Sequence, residues 1–138
     1  MDEPLAITLF SGTDDKLQAA AVLTAGAAAI GRPVHIFLQY WGLEAFRTQN
    51  GAHRDPVLAP EAGEAGLRAV KALAAAGQAS WRETLEQAKA IGQVDIQACS
   101  LSMDLLHLTE SDLDPLVDGV EGVTAFWLAA SEGQVVFI

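Results

Sequence analysis

The fold is decided by residues 4–40, PLAITLFSGTDDKLQAAAVLTAGAAAIGRPVHIFLQY, in which two apolar runs flank an alanine-rich segment. The runs Pro4–Phe10 and Val34–Tyr40 are short and contain β-branched and aromatic residues, a composition typical of buried strands. Alanine predominates from about Asp15 to Ile30, which predicts a helix able to lie close to a sheet, and Gly31 ends it. These residues therefore predict a strand–helix–strand unit.

The rest of the chain continues this alternation of apolar runs and helix-forming segments. Further strands are predicted at Val94–Ala98, around Val117–Val120 and at Gln134–Ile138, and further helices at Leu43–Arg47, Glu61–Ala76, Ser80–Ile91, just after Cys99 and at Val123–Ser131. Strands that are nearly all apolar need cover on both faces. We therefore expect one α/β domain, residues 1–138, with a mainly parallel sheet of about five strands and helices on both faces.

The middle of the chain contains a loop followed by two helices. Thr48–Pro60 is polar and rich in turn-forming residues, which predicts the loop. Three apolar side chains of the first helix are spaced to face one way, Leu67, Val70 and Leu73. The second helix opens on a capping box, in which the Ser80 hydroxyl accepts from the Glu83 N–H and the Glu83 carboxylate reaches back to Ser80.

The charge and hydropathy of the chain exclude two classes of partner. With 18 acidic and 8 basic residues, the net charge is −10, which repels a phosphate backbone, so nucleic-acid binding is not expected. The charge-free stretch Leu17–Gly31 is shorter than the roughly 20 apolar residues that a spanning helix needs, so no membrane partner is expected.

The N-terminus and the cysteine content indicate the compartment. Met1–Pro4 is acidic where a secretory signal has positive charge. The single cysteine, Cys99, excludes an internal disulfide framework and Cys-x-x-Cys redox or zinc sites. We therefore expect a cytoplasmic protein.

Right-handed connections between parallel strands bring the loops that follow the strands to one edge of the sheet. Ser11–Asp14, Tyr40–Gly42 and Cys99–Ser102 are therefore expected at the same edge. Cys99 lies where a strand ends and a helix begins, and the N–H groups and dipole of that helix favour a thiolate. In the absence of such context, a lone cysteine is more often a small buried core residue.

The segment around this cysteine, IQACSLSMDL at residues 96–105, resembles the active-cysteine segment of the DsrE-like family, the relatives of the DsrE, DsrF and DsrH sulfur-transfer proteins. The turn Tyr40–Leu43 resembles the family's aromatic-Gly-Leu turn after the second strand. Asp118–Gly122 and Val135–Ile138 resemble its C-terminal pattern. Residues 48–80 depart from the family's pattern.

The resemblance implies a sulfur carrier, similar to a sulfurtransferase, that takes up sulfane sulfur as a persulfide on Cys99 and passes it to an acceptor thiol. Its partners would be sulfur donor and acceptor proteins or small thiols, and a homo-oligomer is implied. One thiol suffices for the reaction, so neither a cofactor nor a metal is expected. Candidate residues for the pocket or for polar support of the sulfur are Ser100, Ser102, Ser11, Tyr40 and Trp41.

Two other functions stay open. In one, the protein is a non-enzymatic oligomeric interaction or regulatory domain in which Cys99 is structural. In the other it is a thiol peroxidase, but such enzymes have a threonine and a proline at the positions held here by Ile96 and Gly92. The three histidines, His35, His53 and His107, lack the spacing of metal ligands. His35 is expected to be a core or edge residue of its strand.

Overall fold

An all-parallel sheet lies at the centre of the fold in the computed structural model, which describes residues 3–48 and 55–138. Its strands are β1 (Leu5–Leu9), β2 (Val34–Leu38), β3 (Val94–Cys99), β4 (Gly119–Glu121) and β5 (Gln134–Phe137). They are ordered β4-β3-β2-β1-β5. The predicted α/β class, with a mainly parallel sheet of about five strands, is confirmed.

Six α-helices connect the strands within the described residues. They are α1 (Asp14–Ala29), α2 (Tyr40–Glu44), α3 (Gly63–Ala75), α4 (Trp81–Ile91), α5 (Ser100–Leu105) and α6 (Val123–Ala130). Short 3-10 turns lie at Pro60–Ala62 and Glu110–Asp112. Part of the predicted loop falls on residues 49–54, which lie outside the described residues. His53 is one of these residues.

The main core lies between one face of the sheet and the helices α1 and α4. Ile7, Ile36 and Ile96 are in register across β1, β2 and β3, and all three are fully buried. The buried face of α1 carries alanines and Thr24, whose hydroxyl donates to the Ala20 carbonyl within the helix. These small side chains allow α1 to pack closely on the sheet and on α4, as the alanine content predicted.

The opposite face of the sheet has a smaller core, to which α6 contributes Phe126 and Ala130. These side chains pack against Ala6, Phe37 and Cys99. Helices therefore cover both faces, as predicted, but the cover is unequal. On the α6 side a helix of eight residues supplies two buried side chains, whereas α1 alone supplies six to the other side.

The helix α3 lies outside both cores. None of its residues is buried, and Leu73, from the predicted apolar stripe, is half exposed. The next helix, α4, begins as predicted, because the Ser80 hydroxyl accepts from the Glu83 N–H at 3.1 Å. The Glu83 carboxylate also reaches back to Ser80 and accepts from its hydroxyl at 3.2 Å.

The helix α2 begins at Tyr40, three residues before the predicted Leu43, because tertiary contacts determine its start. Tyr40 has a φ of 46°, in the left-handed region that side chains other than glycine rarely adopt. The N–H of Gly42 donates to the Phe10 carbonyl at 2.8 Å. A Cβ on Gly42 would lie 2.1 Å from the Leu9 carbonyl oxygen, so only glycine permits this approach to the end of β1.

Replacing Gly42 with alanine is expected to destabilise the protein by about 3 kcal/mol, because the added carbon collides with backbone. The matched control is Gly26→Ala in α1, where no atom lies within 4 Å of the added carbon. Alanine should stabilise that helix by about 0.5–1 kcal/mol. Urea unfolding measures both free energies, and similar values for the two variants would contradict the close approach at Gly42.

Candidate functional site

Cys99 is the last residue of β3 and the N-cap of α5. Its sulfur accepts a hydrogen bond from the Ser102 N–H at 3.5 Å, so a backbone amide at the start of the helix does point at the sulfur. The residue is 4% exposed and packs in the smaller core with Phe37 and Phe126. The sulfur thus combines a polar donor with apolar surroundings.

Ser102 connects the cysteine to the loop after β2. It is fully buried, and its hydroxyl accepts from the Tyr40 N–H at 3.1 Å. This bond anchors the residue with the left-handed backbone described above. The structure therefore brings together three of the predicted site residues, Cys99, Ser102 and Tyr40, through main-chain amides rather than through contacts between side chains.

The other predicted residues lie at the same edge of the sheet but in a separate place. Ser11 and Trp41 line an open cleft of about 410 Å³, whose other lining residues are Gly12, Thr13, Glu44, Ala45 and Val57. Cys99 is not among the residues that line it. Ser100, the first residue of α5, is exposed. At the predicted edge, the sulfur is therefore buried, whereas Ser11 and Trp41 line a separate cleft.

Two carboxylates at the start of α1 accept hydrogen bonds from the backbone of the segment that contains Val57, one of the residues lining this cleft. Asp14 accepts from the Val57 N–H at 2.7 Å, and Asp15 accepts from the Ala59 N–H at 3.2 Å. Burial raises the pKa of Asp15, but hydrogen bonds from the Thr13 hydroxyl and the Ala59 N–H, among others, outweigh it. The pKa therefore lies below its usual value, as expected for a carboxylate that accepts several hydrogen bonds.

A polar cluster on the α6 side of the sheet was not predicted. We call the side chains of His35, Asp95 and Glu121 the His35 cluster. His35 Nε2 is 2.5 Å from Glu121 Oε1, and His35 Nδ1 is 3.1 Å from Asp95 Oδ2. The Glu121 side chain is only 13% exposed, although the Asp95 side chain is about half exposed. Two carboxylates therefore hold one largely buried imidazole.

This cluster shares a sheet face with the cysteine. Side chains alternate along a strand, so Asp95, Gln97 and Cys99 point to one face of β3. Glu121 of β4 is in register with Cys99. The alternation of polar and apolar residues in β3 was visible in the sequence, but the pairing of His35 with Glu121, 86 residues away, was not.

The remaining histidine that the structure describes is not part of this cluster. His107 is exposed and follows α5 with a φ of 53°. Within residues 3–48 and 55–138, no group of three or more His, Cys, Asp or Glu side chains is arranged to hold a metal ion. The same described ranges contain no helix with both the length and the apolar character needed to cross a bilayer.

Residues 1–69, half of the chain, match the DsrE/DsrF/DrsH-like family. The chain belongs to this family. The family resemblance predicted from the sequence is thereby confirmed, although the matched residues end before Cys99. An uncharacterized protein of Bacillus subtilis (strain 168), YrkE, is 30% identical over 149 aligned residues, which cover 94% of this chain and 92% of YrkE.

Two solved structures share the fold. The ychN protein from E. coli has a TM-score of 0.59 at 12% identity, with all of both chains covered. MTH1491 from Methanobacterium thermoautotrophicum, described as a protein of unknown function, has a TM-score of 0.54 at 16% identity, with 98% of both chains covered. Family membership relates this DsrE-like chain to sulfur metabolism.

Replacing Ser102 with alanine is expected to destabilise the protein by about 1–3 kcal/mol, because the Tyr40 N–H loses its acceptor. The exposed neighbour provides the control, since Ser100→Ala should change stability by less than about 0.5 kcal/mol. Urea unfolding followed by tryptophan fluorescence gives both values. Indistinguishable midpoints would show that the bond between α5 and the Tyr40 loop contributes little.

Proposed function

We propose that this DsrE-like protein is a sulfur carrier that holds sulfane sulfur as a persulfide on Cys99. The observation that carries the proposal is the position of the sulfur at the start of α5, where it accepts from the Ser102 N–H. Amide donors and the positive end of a helix stabilise a sulfur anion. Family membership adds the relation to sulfur metabolism.

The transfer consists of two thiolate displacements and needs neither an oxidant nor a reductant. In the first, the Cys99 thiolate attacks the outer sulfur of a donor persulfide, R–S–SH, and the donor leaves as R–S⁻ while Cys99–S–SH forms. In the second, an acceptor thiolate attacks the outer sulfur of Cys99–S–SH. The acceptor becomes the persulfide, and Cys99 is released as the thiolate.

The surroundings of the sulfur suit a carrier more than a rapid catalyst. Phe37 and Phe126 pack in the same small core as Cys99 and keep bulk water away from it. A persulfide held there is shielded from thiols that could discharge it before an acceptor arrives. The same burial requires the site to open for each transfer.

Burial also supports a second candidate function, in which Cys99 is a structural residue of a non-enzymatic interaction domain. A cysteine that is 4% exposed in an apolar cluster packs like any small core residue. The two candidates differ in whether the sulfur ever exchanges with a donor.

The test is sulfur loading followed by intact-mass measurement. After incubation with inorganic polysulfide, or with a small-molecule persulfide, the mass of the wild-type protein should rise by whole sulfur atoms. Cys99→Ser should show no gain, and Ser111→Ala, which changes an exposed serine outside the candidate site, should load like the wild type. After removal of the donor, a small thiol should discharge the bound sulfur.

A wild-type protein that stays unmodified, while its thiol can still be alkylated, would contradict the carrier and support the structural cysteine. Loading that no thiol can discharge would also contradict it, because a carrier must release its sulfur. The intact mass distinguishes a persulfide from a sulfenic acid by the mass that is added.

We also propose that the protein forms a homo-oligomer through the exposed face of β5 at the edge of the sheet. Exposed apolar side chains on this surface are Val135 and Phe137. In a chain of net charge −10, residues 133–138 have no charged side chain. A second copy of the same surface can cover this region without bringing like charges together, which supports a contact between copies.

Light scattering coupled to size-exclusion chromatography tests this contact. The wild type should elute as an oligomer, and Val135→Glu should shift it toward the monomer because a charge enters the apolar surface. Leu73→Glu places the same charge at a similarly exposed apolar position on α3 and should leave the mass unchanged. A monomeric wild type, or an equal shift in both variants, would contradict the proposed surface.

A further inference from the structure

We propose that α6 is a lid over Cys99, and that His35 and Glu121 are positioning residues that hold the lid closed. The purpose of such a lid rests on the proposed sulfur transfer, because only a reacting sulfur needs access. The lid itself is a property of the packing. It is argued from the contacts on the α6 side of the sheet.

The lid is held by few side chains. Of its eight residues, only Phe126 and Ala130 are buried, while Val123, Trp127 and Leu128 are more than half exposed. The Phe126 ring stacks on Phe37, with centroids 5.1 Å apart and planes at 19°. Both rings belong to the core that contains the cysteine. Withdrawal of Phe126 would therefore remove one of the two aromatic rings from the small core that contains the sulfur.

The latch is the contact between His35 and Glu121. Glu121 ends β4 and is separated from the first residue of α6 by Gly122 alone. Its carboxylate lies 2.5 Å from the His35 ring, and the centroid of that ring is 6.0 Å from that of Phe126. One imidazole thus contacts both the residue that leads into the lid and the aromatic side chain that anchors it.

Apart from the contact between His35 and Glu121, few interactions stabilise the first residues of α6. The N-cap residue, Gly122, has no side chain to cap the helix. The strand β4 contains three residues and, among the residues that the structure describes, pairs with β3 alone. The groups facing His35 are Asp95 on β3, Glu121 on β4 and Phe126 on the lid. Breaking the contact with Glu121 should therefore increase the population of open lid.

The rate of Cys99 alkylation by iodoacetamide measures this opening without any sulfur donor. Glu121→Ala should raise the rate about tenfold, because a hydrogen bond that involves a charged group is lost from the closed state only. Glu121→Gln should retain part of the latch, because its amide oxygen can still accept from His35. The control is Glu132→Ala, which removes an exposed carboxylate beyond the other end of α6 and should alkylate like the wild type.

The urea dependence of the rate separates lid opening from unfolding of the whole protein. Opening of one short helix exposes little surface, so below the unfolding transition the alkylation rate should rise only weakly with urea. A wild-type rate with the full urea dependence of global unfolding would overturn the lid. The same full dependence in Glu121→Ala, or no increase in its rate, would overturn the latch.

These outcomes are distinct from failure of the proposed function. If the protein alkylates through local opening but takes up no sulfur, the lid holds and the carrier fails. If sulfur loads onto Cys99 while alkylation follows global unfolding, the carrier holds and the lid fails.

Discussion

Parallel pairing of β1, β2 and β3 is the constraint on which the rest of the structure depends. Because these strands run the same way, their carboxyl ends and the loops after them meet at one edge of the sheet. The bond from the Tyr40 N–H to the Ser102 hydroxyl joins two of these loops directly. The parallel sheet therefore places the cysteine at the end of β3 beside the loops that follow β1 and β2.

The two faces of the sheet differ in how many side chains they bury and in which polar groups they contain. Small side chains on α1 permit close packing against α4, and this layer supplies most of the buried hydrocarbon. The other face holds fewer buried side chains, a largely buried histidine between two carboxylates, and the cysteine. A protein that must open without unfolding benefits from this arrangement, because the thin layer can move while the thick one keeps the strands in place.

The strands and most helices could be predicted because their signals are local. Apolar runs bounded by turn residues, the alanines of α1 and the serine cap of α4 each decide a structure within a few residues. The start of α2 could not be predicted, since it depends on a glycine that approaches the end of β1 and on a distant serine hydroxyl. Cys99 could be placed at its edge from the local strand and helix signals. Its burial could not be predicted, because it packs in a core with Phe37 and Phe126, which lie on other elements. The contact of His35 with Glu121 could not be predicted either, because these residues come together only when β2, β3 and β4 are aligned.

The short edge strands have a consequence for solubility. An edge strand presents unpaired N–H and C=O groups that can recruit another chain into a growing sheet. Here β4 offers three residues and β5 four, too few for a stable template. The chain can thus display a bare hydrocarbon surface beside β5 with little risk that side-by-side strand addition turns a limited assembly into a fibre.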